Sequence, residues 1–141
     1  MSETPNRILR RLRVIVCGGR DYHEPRYVFD VLDGIHAQTP IGIVFHGNAR
    51  GADITAGEWA DTTKGVREFK VPAQWSKFGR AAGPKRNEAM LGHSIDLVIA
   101  FPGGRGTADM MRRAKRRGVK VMEIAARSAS EATPTTENEN E

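Results

Sequence analysis

Five short apolar runs punctuate the chain, spaced so that a helix fits between most consecutive pairs. The first, Val14-Ile15-Val16-Cys17, is continuous and stops at Gly18-Gly19. A continuous run without polar alternation predicts a strand covered on both faces. Pro25 stands at a plausible first helical position, and Val28, Val31, Leu32 and Ile35 follow at helical spacing until Pro40 closes the segment. Residues 41–45 predict a second strand ending at His46-Gly47. Ala52, Ala56, Trp59 and Ala60 form the stripe of a second helix, with Gly65 at its end. Residues 66–71 alternate and predict a third, shorter strand.

Residues 72–83 show neither period. An irregular segment near this length is uncommon and often functional. Pro84 opens a short helix bearing Ala89, Met90 and Leu91. Residues 95–101 predict a fourth buried strand, and the glycine-rich turn Pro102-Gly103-Gly104-Arg105-Gly106-Thr107 follows it. The next helix turns Met110, Met111 and Ala114 inward and ends at Gly118, with Lys115, Arg116 and Arg117 at the negative end of its dipole. Residues 119–124 predict a fifth strand. Strands alternating with helices imply a Rossmann-like, three-layer α/β/α domain with a mostly parallel five-stranded sheet. Strand one is expected between strands two and four, and ligands of such sheets bind beyond the carboxyl ends of the strands, at the switch point.

Composition narrows the class. The 141 residues suit one domain, and a single cysteine excludes an internal disulfide framework. No apolar run approaches the roughly 20 residues that span a bilayer, and the stretch after the basic start is too short for a secretory leader. A reduced, cytoplasmic setting without membrane contact is the expectation. The net charge is +5, yet the last residues hold Glu131, Glu137, Glu139 and Glu141 and no base. What precedes them is therefore still more basic, which attracts phosphorylated ligands or nucleic acid. The end lacks large apolar residues, so residues 128–141 are expected to be a disordered acidic tail. Residues 1–12 are expected to form an N-terminal extension, and residues 13–127 the folded domain.

The unusual residues gather at the expected edge. Gly18, Gly19 and Arg20 follow strand one; Gly47, Arg50, Gly51 and Asp53 follow strand two; Arg86 and Asn87 follow the long segment; Pro102, Gly103, Gly104, Gly106 and Thr107 follow strand four. These are the candidate ligand-binding residues. Glycines let backbone approach a ligand, Thr107 can cap the helix beginning there, and a helix N-terminus suits a phosphate. Arg20 is placed to grip a phosphate or to bridge to Asp21 or Asp53, and Asp53 either accepts from ribose hydroxyls or is an ordinary acidic residue of a first turn. Trp75 and Phe78, beside Lys77 and Arg80, either stack on a base or anchor their loop. His46 and Cys17 read as structural, and the four histidines and one cysteine have no metal spacing, so neither metal nor cofactor is expected.

The motifs CGGRD, HGNARGAD, AGPKRN and AFPGGRGTADM together resemble the small YspA-like branch of the SLOG superfamily, which includes the DprA/Smf proteins and the LOG phosphoribohydrolases. PGGRGT is similar to the PGGxGT motif of the LOG enzymes. The resemblance implies a nucleotide-binding domain, a nucleotide-like ligand and an oligomer, at least a dimer. LOG enzymes carry a catalytic Glu three residues after the Thr of that motif. Met110 stands there in this chain, with Asp109 one place earlier, about 100° away around a helix. Arg86 is the counterpart of a LOG arginine. Asp109 and Arg86 are therefore the catalytic candidates, and the hydrolytic half of the site stays open. Three functions stand in order: binding of a nucleotide-derived ligand as a sensor or sequestering domain, hydrolysis of a nucleoside 5′-monophosphate at its N-glycosidic bond, and DprA-like nucleic-acid binding.

Overall fold

The computed structural model describes residues 10–126. The first nine residues of the expected extension and all of the expected acidic tail lie outside them. The elements run β1 (Leu12–Cys17), α1 (Pro25–Gln38), β2 (Ile41–His46), α2 (Ala52–Asp61), β3 (Arg67–Lys70), the one-turn α3 (Trp75–Phe78), a 3-10 turn (Gly79–Ala81), α4 (Ala82–Leu91), β4 (Leu97–Ala100), α5 (Arg105–Arg116) and β5 (Lys120–Glu123). The sheet order is β3-β2-β1-β4-β5 and every pairing is parallel. β1 lies between β2 and β4, so the sheet reverses its direction of growth there, as expected from right-handed crossovers.

Alternating residues of the central strands feed two cores. Val14, Val16, Leu97 and Ile99 face Val28 and Leu32 of α1 and Ala52, Ala56, Trp59 and Ala60 of α2. Ile15, Phe45 and Val98 face Met90 and Leu91 of α4 and Met110 and Ala114 of α5. A buried Val, Leu, Ile or Phe contributes about 1.5–3 kcal/mol. Two covered faces are why the central runs are apolar throughout rather than alternating. Trp59 also donates its Nε1–H to Asp33 Oδ1 at 2.8 Å, which fixes α2 on α1.

Local chemistry sets the boundaries. Thr39 is extended (φ −142°, ψ 113°) because the ring of Pro40 disfavours a helical residue before it, so α1 stops at Gln38. α5 ends in a Schellman motif: Gly118 takes φ +76°, its N–H donates to Lys115 O at 3.1 Å and Val119 N–H donates to Ala114 O at 2.9 Å.

Four expectations need correction. α2 ends before Gly65, because the hydroxyls of Thr62 and Thr63 turn back onto the carbonyls of Glu58 and Trp59, and Gly65 instead makes the turn into β3 at φ +85°. β3 is shorter than residues 66–71 and mostly exposed, being an edge strand paired only with β2. The irregular segment is partly helical: α3 and the 3-10 turn lead directly into α4, whose third residue is Pro84. Proline is tolerated there because the first-turn N–H groups have no helical acceptor. Thr107 does not cap α5, which starts two residues earlier with Gly104 as the preceding residue and no side-chain cap.

Candidate functional site

A cavity of about 1120 Å³ opens at the carboxyl ends of the strands. Four segments reach it: the turn after β1, the turn after β2, the segment from Pro72 into α4, and the start of α5. Its lining carries six arginines (Arg20, Arg50, Arg80, Arg86, Arg105, Arg112) against two aspartates, Asp53 and Asp109. That excess of cations suits an anion.

The turn after β2 is closed on itself. Asp53, the second residue of α2 and 5% exposed, accepts from Gly47 N–H at 2.9 Å and Ala49 N–H at 3.3 Å. Asn48 N–H, from a residue at φ +61°, donates to His46 Nδ1 at 3.0 Å. The other ring nitrogen, His46 Nε2, faces Glu68 Oε2 at 2.6 Å. All three N–H groups of residues 47–49 thus have partners inside the protein. A Cβ on Gly47 would lie 1.9 Å from Arg86 Nη1 and displace that guanidinium, and Gly51, at φ +83°, is glycine because a Cβ would lie 2.2 Å from Gly19 O. Burial pushes the Asp53 carboxyl up; the N–H donors, His46 and Arg86 pull the other way without overcoming it.

The turn after β4 is open. Pro102 O accepts from Gly19 N–H at 2.9 Å, and a Cβ on Gly103 would strike Thr107 Oγ1, so Pro102 and Gly103 lock this turn to the turn after β1. Among the described residues, Gly104 and Gly106 have no atom beyond their chain neighbours and own helix backbone within 4 Å of where a Cβ would stand, and both line the cavity. The first backbone bond of α5 runs from Ala108 N–H to Gly104 O at 3.0 Å. The N–H groups of residues 105–107 come before that ladder begins, at the positive end of the dipole, with no acid in the first turn.

Between the two turns lies Arg86. Its Nε donates to Asn87 Oδ1 at 2.9 Å and its Nη1 to Gly47 O at 3.2 Å. Burial pushes its pKa down, and the negative charge of Asp53 opposes that. Asn87, 4% exposed, carries the linkage on: its Nδ2 donates to Asp109 Oδ2 at 3.0 Å and to Gly106 O at 3.3 Å. Asp109 also accepts from Arg112 at 3.0 Å and from Arg113 Nε at 2.9 Å. Burial alone would raise the Asp109 carboxyl, but the bonds from Asn87 and Arg113 outweigh it and hold it below the usual aspartate range. Held ionised by three side chains, Asp109 is poorly suited to take or give a proton.

Of the sequence candidates, Gly18, Gly19, Arg20, Gly47, Arg50, Asp53, Arg86, Asn87, Gly104, Gly106, Thr107 and Asp109 line one cavity. Gly51, Pro102 and Gly103 do not, and serve as the close contacts that hold its walls. Arg20 bridges to neither Asp21 nor Asp53; its guanidinium lies 5.8 Å over the Trp75 ring. Trp75 lines the cavity, whereas Phe78 lies outside it under Lys77 and Lys85. Cys17 also lines it, and burial pushes its thiol up to about 12, which makes it a poor nucleophile. Sequence reasoning missed Asn48, Arg105 and Arg112. For Asn48 a signal existed, since Asn is among the few residues that accept a positive φ beside a glycine.

A parallel α/β sheet with a cationic cavity at its switch point defines a domain of the Rossmann-like class. Residues 12–78 match the model of the YspA, cpYpsA-related SLOG family. The chain is also 39% identical over 121 residues to the Gene 61 protein of Mycobacterium phage D29, covering 78% of this chain and 94% of that relative. The chain belongs to the YspA, cpYpsA-related SLOG family. No solved structure matches it.

Proposed function

We propose that this protein binds a phosphorylated, nucleotide-type ligand and acts as a sensor or sequestering domain. The observation that carries the reading is the open turn after β4. There Gly104 and Gly106 leave the start of α5 bare, in a cavity where arginines outnumber aspartates. The phosphate is expected on the N–H groups of residues 105–107, with Arg20 and Arg86 closing over it. Membership in the SLOG family supports a nucleotide-related role at a coarse level. Binding is favoured over hydrolysis because both carboxylates that reach the cavity are engaged by protein donors.

Calorimetric titration with nucleoside 5′-monophosphates tests the proposal. Gly104→Val and Gly106→Val each put a side chain into space that is now open and are expected to abolish binding while the protein stays folded. Chromatography of the titrated samples is expected to recover the nucleotide uncleaved. Wild-type affinity in both variants would place the ligand elsewhere, and release of free base would make the protein a hydrolase.

A further inference from the structure

The two tryptophans of the chain have opposite surroundings. Trp59 is 1% exposed and hydrogen-bonded to Asp33. Trp75 is 50% exposed, on a one-turn helix with no buried residue, yet it lines the cavity. An indole that merely anchored its loop would be tucked into a core, as Trp59 is. The edge of Trp75 rests on the start of α4, where a Cβ on Gly83 would sit 3.4 Å from its ring. Its described ring contact is the Arg20 guanidinium at 5.8 Å. Arg20 in turn springs from the β1 turn, whose Gly19 touches Gly103 of the turn after β4. Arg20 therefore starts beside the residue that meets Gly103 and reaches the exposed indole.

We infer that Trp75 and Arg20 form a second subsite in the cavity, which selects ligands carrying a planar heteroaromatic group by stacking that group on the indole. The inference rests on the anion-binding reading above and adds the choice of ligand to it. An indole face is sequence-tolerant toward bases because every base has a π-face, and a guanidinium beside the stack adds a cation–π contribution. The cavity is large enough for such a ligand: its volume of about 1120 Å³ slightly exceeds the usual range for small-molecule sites. Phosphate alone, or a sugar phosphate, would leave the indole uncovered.

Adenosine 5′-monophosphate and ribose 5-phosphate share the ribose and the phosphate and differ in the base, so the pair isolates this subsite. The probes are titrated calorimetrically into wild type, Trp75→Ala and Trp75→Phe, with intrinsic fluorescence followed in parallel. Wild type is expected to bind adenosine monophosphate about tenfold to a hundredfold more tightly than ribose 5-phosphate. Trp75→Ala is expected to remove that preference, and Trp75→Phe to keep most of it. Adenosine monophosphate should quench wild-type fluorescence and leave Trp75→Phe, which retains Trp59 alone, unquenched. Equal affinity of wild type for the two probes, or an unchanged preference in Trp75→Ala, overturns the subsite and leaves the anion reading standing. Loss of both probes from Trp75→Ala overturns it too, since the residue would then hold the cavity together rather than stack. Failure of both probes to bind wild type removes the anion reading and the subsite with it.

Discussion

The turns after β2 and β4 are built alike and used differently. Each follows a buried strand, is rich in glycine, and leads into a helix preceded by a glycine with no side-chain cap. In the turn after β2 the protein supplies its own anion, Asp53, and the glycines are needed because the space beside them is already taken by Arg86 and Gly19. In the turn after β4 no acid occupies the first turn, and Gly104 and Gly106 border space that no other described residue fills. Glycine thus serves the fold in one turn and borders open space in the other. A glycine-rich motif alone does not distinguish these uses; the atoms around the missing Cβ do.

Substitution should separate the two turns most sharply. Gly51→Val forces a β-branched residue to φ +83° and drives its Cβ into Gly19 O, so a loss of about 3 kcal/mol or more is expected in urea denaturation. Gly106→Val, on an open helical position, should change stability by less than about 1 kcal/mol. Equal stability losses in the two variants would erase the distinction drawn between the turns.

Arg86 sits between them, and Arg86→Ala should weaken nucleotide binding by about 2–4 kcal/mol through loss of a partly buried, charge-assisted contact. Calorimetry measures this directly. A change below about 0.5 kcal/mol would mean that Arg86 only buttresses Gly47 and Asn87.

The two aspartates carry opposite pH signatures. The folded-state pKa of Asp109 lies below its ordinary 3.8, so its stabilisation is complete above that value and is lost as pH falls through the folded pKa. Asp109→Asn should cost about 1 kcal/mol at neutral pH and flatten the acid limb of the stability curve. Asp53 is raised above 3.8, so its burial penalty is present at neutral pH and is relieved as pH falls through its folded pKa. Asp53→Asn should remove that relief. Urea midpoints measured from pH 7 down to about 3 follow both, and parallel curves for the two variants would contradict the opposed environments.

The smallest effect concerns Cys17. With its thiol pushed up to about 12, it should stay unmodified by iodoacetamide at pH 8 until the protein is unfolded.

The continuous runs 14–17 and 95–101 declared strands covered on both faces, and the strand order followed from right-handed crossovers. The gathering of four motifs at one edge was likewise legible, because every βα turn of a parallel sheet lies at that edge. Three features were not. The start of α5 was misplaced because Thr107 is a good capping type, yet the glycine before Arg105 already releases the chain into helix. The helical content of residues 75–81 was hidden because one-turn helices have no period to detect. The commitment of Asp109 to Asn87 and Arg113 was hidden because Asn87 comes from a different helix, which only packing brings near.

Amide resonances tell the two turns apart in solution. On addition of a nucleoside 5′-monophosphate to ¹⁵N-labelled protein, the N–H signals of Arg105, Gly106 and Thr107 are expected to show the largest downfield shifts, as those groups gain an anionic acceptor. The N–H signals of Gly47, Asn48 and Ala49, already bonded to Asp53 and His46, are expected to move little. The largest shifts at residues 47–49, with residues 105–107 unmoved, would contradict the assignment of the turn after β4 as the phosphate site.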